Sequence, residues 1–307
     1  MHAPIILSDS VSLAAGATGV LDLTKLQAPQ SQAMFVREIV FTASLPASAG
    51  DLGGIVWAKI EAGRFAITND FVPIWNFAPP YDRYYNDLNA LGQVGARGDG
   101  ITTTYTTYRW ILPAPMYVAP GGGIKCTFFR TNRFDASFTA AVTGASITAR
   151  CAVIGNLTDG KTPAEIDVPY VTAFVPAVSG DTGVRKSLER DLSNECGKVI
   201  TTQRFVGAIL GLAGAATSTP KRYYSLSQAN AVKVGIIDPY NRSITSNPTQ
   251  PAVDWEAIFH PQDPTWTLRQ RVDPGRNYQV TLSKTPALQN PGIPMISLVG
   301  SRKEVAP

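Results

Sequence analysis

Charge is scarce in this chain of 307 residues. Asp, Glu, Lys and Arg together make up 16%, against about 25% in an average soluble protein. With 44% apolar residues, the composition excludes disorder, which needs high charge and low hydrophobicity. No heptad-rich charged stretch occurs, which excludes a long coiled coil. No Gly-X-Y period occurs, which excludes a collagen-like fibre. No run of 18 apolar residues occurs, so no segment reads as a membrane-spanning helix. Histidine is almost missing, with only His2 and His260. Double sandwiches that bind metal at a cupin-type site need several His with a carboxylate, so neither a metal nor a cofactor is expected. A Ser-His-Asp triad has only His260 to draw on, and no G-x-S-x-G elbow accompanies it. Cysteine is equally sparse. Cys126, Cys151 and Cys196 are odd in number and too far apart for a metal pattern. Cys126 and Cys151 sit in apolar strand-like runs and read as buried free thiols, as expected in a reducing cytoplasm. Nothing in the sequence positions a Cys196–His pair. The N-terminus lacks the basic region of a secretory signal, so the sequons at Asn156 and Asn241 carry little weight.

The net charge of +4 points at no partner. Residues 1–155 hold 11 basic and 10 acidic side chains, and residues 156–307 hold 16 and 13. Neither half has a basic run that would track phosphates, so sequence-specific nucleic-acid binding is not expected.

The chain is rich in turn formers, with 26 glycines and 23 prolines. They punctuate strand-like segments at 34–43, 55–61, 108–112, 124–130, 147–154, 204–212, 231–237, 266–272, 278–283 and 295–300. Several are continuous apolar runs, as in buried sandwich strands, and the 265–272 segment alternates. Val184, Leu188 and Leu192 recur every four residues between Gly180-Asp181 and Asn194, which predicts a helix over 182–192. Residues 81–91 form a second, weaker helical candidate.

An internal repeat organises these segments. Phe35-Val36 with Ile39-Val40 answers Phe205-Val206 with Ile209-Leu210, 170 residues later. Trp75 before Phe77 answers Trp255 before Phe259. Trp110 precedes Pro120-Gly121 and the strand from Ile124; Trp266 precedes Pro274-Gly275 and the strand from Tyr278. Val153-Ile154-Gly155 answers Leu298-Val299-Gly300. Pro-Gly suits a reversal between strands, because Pro fixes φ and Gly accepts positive φ. Trp75, Trp110, Trp255 and Trp266 are the expected core landmarks. The expected fold is all-β: two tandem jelly-roll β-sandwiches with a short helix in the connecting segment. The first jelly roll covers 1–155, with an N-terminal arm or first strand and an inserted loop at about 77–107. The connecting segment covers 156–200 and the second jelly roll 201–307.

Two similar sandwiches in a chain of this length resemble the double jelly-roll major capsid proteins of tailless icosahedral bacteriophages and related larger viruses. The resemblance covers nearly the whole chain and is architectural, with no diagnostic motif. It implies a virion structural protein without enzymatic activity, assembled in the host cytoplasm. It implies a homotrimer whose six jelly rolls tile a pseudo-hexagonal position. The partners it implies are neighbouring capsomers, minor capsid or vertex proteins, and an internal membrane or genome facing the inner surface. Low charge fits such a subunit independently, since interface cores are depleted of charged residues. Tyr81, Arg83, Tyr84 and Tyr85 cluster in the inserted loop and are candidate inter-subunit contacts, because Tyr and Arg are enriched at interface hot spots; an ordinary loop packed on its own domain accounts for them as well.

Other readings attach to single features. A phage tail, baseplate or receptor-binding protein would share the sandwich composition. A carbohydrate-binding or carbohydrate-active protein would use Asp254 and Glu256 beside Trp255, which also fit a solvated strand edge next to a core Trp. Gly121-Gly122-Gly123 reads as a hairpin tip, because no Gly-Lys-Ser/Thr follows it. Arg97-Gly98-Asp99 lies in the inserted loop and matches an integrin-recognition triplet, which glycine-rich loops also produce by accident. Asp82, Asp87 and Asp99 lack the spacing of a calcium loop.

Overall fold

Alternation of buried and exposed side chains drives the architecture. In Val56–Ala62 and Ile124–Arg130 every second residue is fully or nearly fully buried, which in a strand places one whole face against a core. The computed structural model describes residues 3–45, 56–68, 70–77, 104–130, 146–159, 162–174, 188–193, 198–212, 220–222, 232–245, 253–254, 258–259, 265–284 and 293–306.

Nine strands come from the first half of the chain: β1 (Ala3–Leu13), β2 (Thr18–Val20), β3 (Ala33–Leu45), β4 (Val56–Ala62), β5 (Phe65–Ala66), β6 (Val72–Pro73), β7 (Thr104–Val118), β8 (Ile124–Arg130) and β9 (Ile147–Thr158). They form one sheet in the order β1-β9-β3-β7 and another in the order β2-β8-β4-β5, with β6 also on β4. The second half adds β10 (Glu165–Phe174), β11 (Leu188–Ser193), β12 (Ile200–Leu212), β13 (Pro220–Arg222), β14 (Val232–Ile237), β15 (Val253–Asp254), β16 (Thr265–Val272), β17 (Asn277–Lys284) and β18 (Ile293–Val305). Their sheets run β10-β18-β12, with β13 and β16 both on β12, and β11-β17-β14-β15. In each half the first strand lies beside the last in one sheet, and the second strand lies beside the penultimate one in the other. This nested pairing is jelly-roll connectivity.

The fold is therefore all-β, but one element differs from the sequence reading. Residues 182–187 lie outside the described residues, and 188–193 form strand β11, not a helix. It pairs with β17 from Leu188 opposite Leu282 to Ser193 opposite Asn277. The leucine spacing of four is even, so it satisfies the strand period of two as well as a helical turn. Pairing with β17 decides between them. The expected connecting segment also contains β10, which runs along β18. The helical candidate at 81–91 lies outside the described residues.

Each pair of sheets encloses its own apolar cluster. In the first, Phe77 bridges Phe41 at 4.8 Å and Trp110 at 5.2 Å between ring centroids. In the second, Phe205 meets Tyr278 edge-on at 5.2 Å and stacks on Trp266 at 5.8 Å. Burying one such side chain contributes about 1.5–3 kcal/mol.

Eight strands of each half match in order, β1–β4 and β6–β9 with β10–β12 and β14–β18, and so does an irregularity in the ladder; among the described residues β5 and β13 have no counterpart strand. β3 slips register between Val36 and Glu38 against both neighbours, and β12 slips between Thr202 and Arg204 against both of its own. Against β9 and β18 these are β-bulges with one extra residue, Arg37 in β3 and Gln203 in β12; against β7 and β16 the longer unpaired stretch lies on the partner, 112–115 in β7 and 268–269 in β16. Opposite them stand Gly155 and Gly300. A Cβ on Gly155 would lie 2.3 Å from the Phe35 carbonyl oxygen, and one on Gly300 would lie 2.7 Å from that of Thr201. Thr202 therefore takes the place of Val36, an offset of 166 residues, not the 170 suggested by the Phe-Val match. The Phe-Val match lies before the bulge in β3 and after it in β12, so it sets core Val36 against outward Val206, and half-buried Phe35 against core Phe205. The Gly155/Gly300 match of the sequence reading agrees with this register. Trp110 and Trp266 also correspond, since they stand opposite Ile39 and Phe205. Both Pro-Gly pairs close the turn to the next strand, with φ of 69° at Gly121 and 73° at Gly275, a region only Gly adopts freely.

Candidate functional site

Phe77 of the expected inserted loop is buried in the first core and 104–107 belong to β7, whereas residues 78–103, with Tyr81, Arg83, Tyr84 and Tyr85, lie outside the described residues. So do Arg97-Gly98-Asp99, Asp82, Asp87, Cys196, His2, His260, Trp255 and Glu256. Asp254 is described only as a backbone position in β15, and Trp75 only as backbone in the 3-10 turn Ile74–Asn76. Trp110 is fully buried, whereas Trp266 is half-buried at the edge of its cluster. Cys126 on β8 and Cys151 on β9 face each other across the first core as buried free thiols. Burial, then the neighbouring Cys151, pushes the Cys126 thiol well up, which makes it a poor nucleophile at neutral pH. Among the described residues, no group of three or more His, Cys, Asp or Glu side chains is placed to hold a metal ion.

The structure instead draws attention to the seam between the two sandwiches. Ile67 and Thr68 follow β5 and fold back on β4, where the Ile60 N–H donates to Thr68 Oγ1 at 3.1 Å. This leaves the Ile67 carbonyl pointing outward, and the Val171 N–H on the edge of β10 donates to it at 2.9 Å. Val171, Val206 and Val299 form a patch on the outer face of the second sandwich. All three are fully buried, and they belong to the same apolar cluster as Ile67, Ile74 and Phe77. Beside them, Ser297 Oγ donates to the Asn76 carbonyl. A second patch joins Ala33, Phe65 and Tyr117 to Ile166 and Val168.

Two arginines lock this seam. The Arg302 side chain is 5% exposed; its Nη2 donates to the Ala66 carbonyl at 2.9 Å and its Nε to Glu304 at 2.8 Å. Arg64 Nη2 reaches the Val305 carbonyl at 3.0 Å. A buried guanidinium needs such partners, because an unpaired charge is costly in a dry contact. Sequence reasoning missed the seam. Ile67-Thr68 and Ile244-Thr245 occupy equivalent places, but Ile-Thr occurs five times in the sequence, so the pair alone marked nothing. The Ile236 N–H donates to Thr245 Oγ1, also at 3.1 Å.

In the second sandwich, the turn before Ile244 is organised by Asp238. Burial alone would raise its pKa. The backbone N–H and guanidinium of Arg242, the Gln270 amide and the Tyr240 N–H outweigh burial and hold it below the ordinary value of 3.8. A depressed folded-state pKa contributes stability above the unfolded-state value, and that stability is lost as pH falls through the folded-state value. We therefore expect acidification below about pH 4 to weaken the wild-type protein more than an Asp238→Asn variant, in urea melts followed by circular dichroism. At pH 7 the variant should lose roughly 1.5–3 kcal/mol, as for a hydrogen-bonded charge. Equal acid sensitivity would exclude this role.

No family model and no curated protein matches the chain. Among solved structures, the major capsid protein of bacteriophage PM2 aligns over 98% of this chain and 97% of its own, with TM-score 0.40 and 11% identity. The mavirus major capsid protein aligns over 97% and 87%, with TM-score 0.33 and 10% identity. N-glycanase F aligns over 99% of both chains, with TM-score 0.41 and 12% identity. Likenesses this distant choose neither a substrate nor a partner.

Proposed function

We propose that the chain is the major capsid subunit of a virion, built from two jelly rolls that act as one rigid block. In this reading the first jelly roll spans 3–158, the second 165–305, and residues 159–164 join them. Three chains supply six similar units to a near-hexagonal position in an icosahedral shell, with neighbouring capsomers and minor or vertex proteins around it. The observation that carries the reading is the duplication with its seam. The same strand order and the same bulge occur twice, and the copies are fastened by a buried apolar patch and two arginines. Such a seam makes a two-unit tile whose sides resemble one another. Low overall charge supports it, because a tile has neighbours on most sides. The work of the protein is then geometric, and no catalytic step is required.

Light scattering on purified protein tests this. The expected mass is three times 32.9 kDa, and particles from the producing host should contain this chain as their dominant protein. A monomer at all concentrations, or a minor share of particle mass, would overturn the proposal.

A further inference from the structure

The seam joins two unlike surfaces, and the duplication gives each sandwich both of them. One is the outward Ile67–Thr68 edge, matched in the second sandwich by Ile244–Thr245. The other is the patch Val171, Val206 and Val299. By the shared register, its counterparts in the first sandwich are Ile6, Val40 and Ile154. Ile6 and Val171 both stand one residue beyond the partner of the glycine that each half carries, Gly155 and Gly300 respectively. The two patches are equally aliphatic but differently covered. Val171, Val206 and Val299 are fully buried, whereas Ile6 is 69% exposed and Val40 and Ile154 are half-buried.

The remaining surfaces of the first sandwich do not explain Ile6. The other outward residues of β1 are Pro4, Ser8, Ser10 and Ser12, so the isoleucine is the one large apolar side chain on that face of the strand. β1 is also a sheet edge of 11 residues. Long uncovered edges invite pairing and are normally covered or blunted. On the other side, the Ile244 carbonyl has no partner among the described residues, whereas its equivalent Ile67 accepts from Val171. The Asp238 turn holds this edge in the same conformation as its counterpart.

We infer that the Ile6–Val40–Ile154 face of one chain docks the Ile244–Thr245 edge of another copy, repeating between chains the seam found within one. The Ile6 N–H then donates to the partner's Ile244 carbonyl, as Val171 does to Ile67. A contact between two unlike surfaces is head-to-tail, and it closes when the rotation completes a ring. This inference rests on the trimer reading and names the face that makes the trimer.

Light scattering across a dilution series separates the two ideas. Ile6→Arg should raise the trimer dissociation concentration by roughly tenfold or more, with circular dichroism unchanged. Ile111→Arg is the control. Ile111 is 59% exposed on the same sheet, and its counterpart Thr267 is exposed as well, so it lies off the docking footprint. The control should remain trimeric. A trimer unaffected by Ile6→Arg overturns this inference and leaves the trimer standing; a wild-type monomer overturns both. If Ile6→Arg does not fold, a second experiment decides. In a Cys196→Ser background, Ile6→Cys combined with Ser243→Cys should give covalent dimers and trimers with a short bis-maleimide, and neither single change should. Absence of cross-linked species from the double variant overturns the face assignment.

Discussion

Gly155→Ala is expected to destabilise the first sandwich by about 3 kcal/mol or more, above the ~1–3 kcal/mol usual for one added methyl group. Backbone φ is not the reason, since Gly155 is not among the positive-φ glycines. The reason is close approach. The bulge at Arg37 brings the β3 backbone over β9, and a Cβ there would meet the Phe35 carbonyl oxygen at 2.3 Å, its carbon at 3.0 Å and the Val36 Cα at 3.1 Å. All three are backbone atoms of a strand held between two neighbours, so no side chain can swing aside. Gly300→Ala should cost less, because its nearest contact is 2.7 Å and the next is the Ile200 side chain at 2.9 Å. Urea unfolding at pH 7 measures both. A Gly155→Ala midpoint equal to wild type would show that the bulge yields freely and has no fixed geometry.

Trp110→Ala should cost about 3–5 kcal/mol, the range for removing a fully buried aromatic side chain. Trp110 packs on Phe77 and lies at the centre of the first cluster. Trp266→Ala should cost clearly less, although the two residues occupy equivalent ladder positions. Trp266 is half-buried and stacks on Phe205 from the edge of the second cluster. Unfolding curves that show equal losses would mean that the duplicated sandwiches bury this position alike, contrary to the packing described.

The sequence carried the strands well where apolar residues alternate or run continuously, as in 124–130, which matches β8 residue for residue. It carried the repeat through residues with special backbone needs: Gly155 with Gly300, and Pro120-Gly121 with Pro274-Gly275. It misled wherever spacing was the only cue. The leucines of β11 fit two periods, and the Phe-Val match joins residues that stand on opposite sides of the bulge. The seam was illegible for a different reason. Val171 and Ile6 are the same kind of residue in the same kind of strand, and only the neighbouring sandwich decides that one is buried and the other bare. The tyrosines that favoured the inserted loop lie outside the described residues, so the candidate surface now rests on sheet faces.

The pairing of first strand with last has a consequence for how the chain is made. β1 finds its partner only when β9 exists, and β10 only when β18 does. Each sandwich therefore closes through contacts of very long sequence separation, which makes folding slow. It also makes synthesis a timer. The first sandwich is able to close once residue 158 has left the ribosome, well before the second has its final strand. During that interval the first sandwich is closed, but its Ile67–Thr68 edge still lacks its own chain's cover. The intrachain seam then depends on the second half folding before another molecule's Ile6–Val40–Ile154 face reaches that edge.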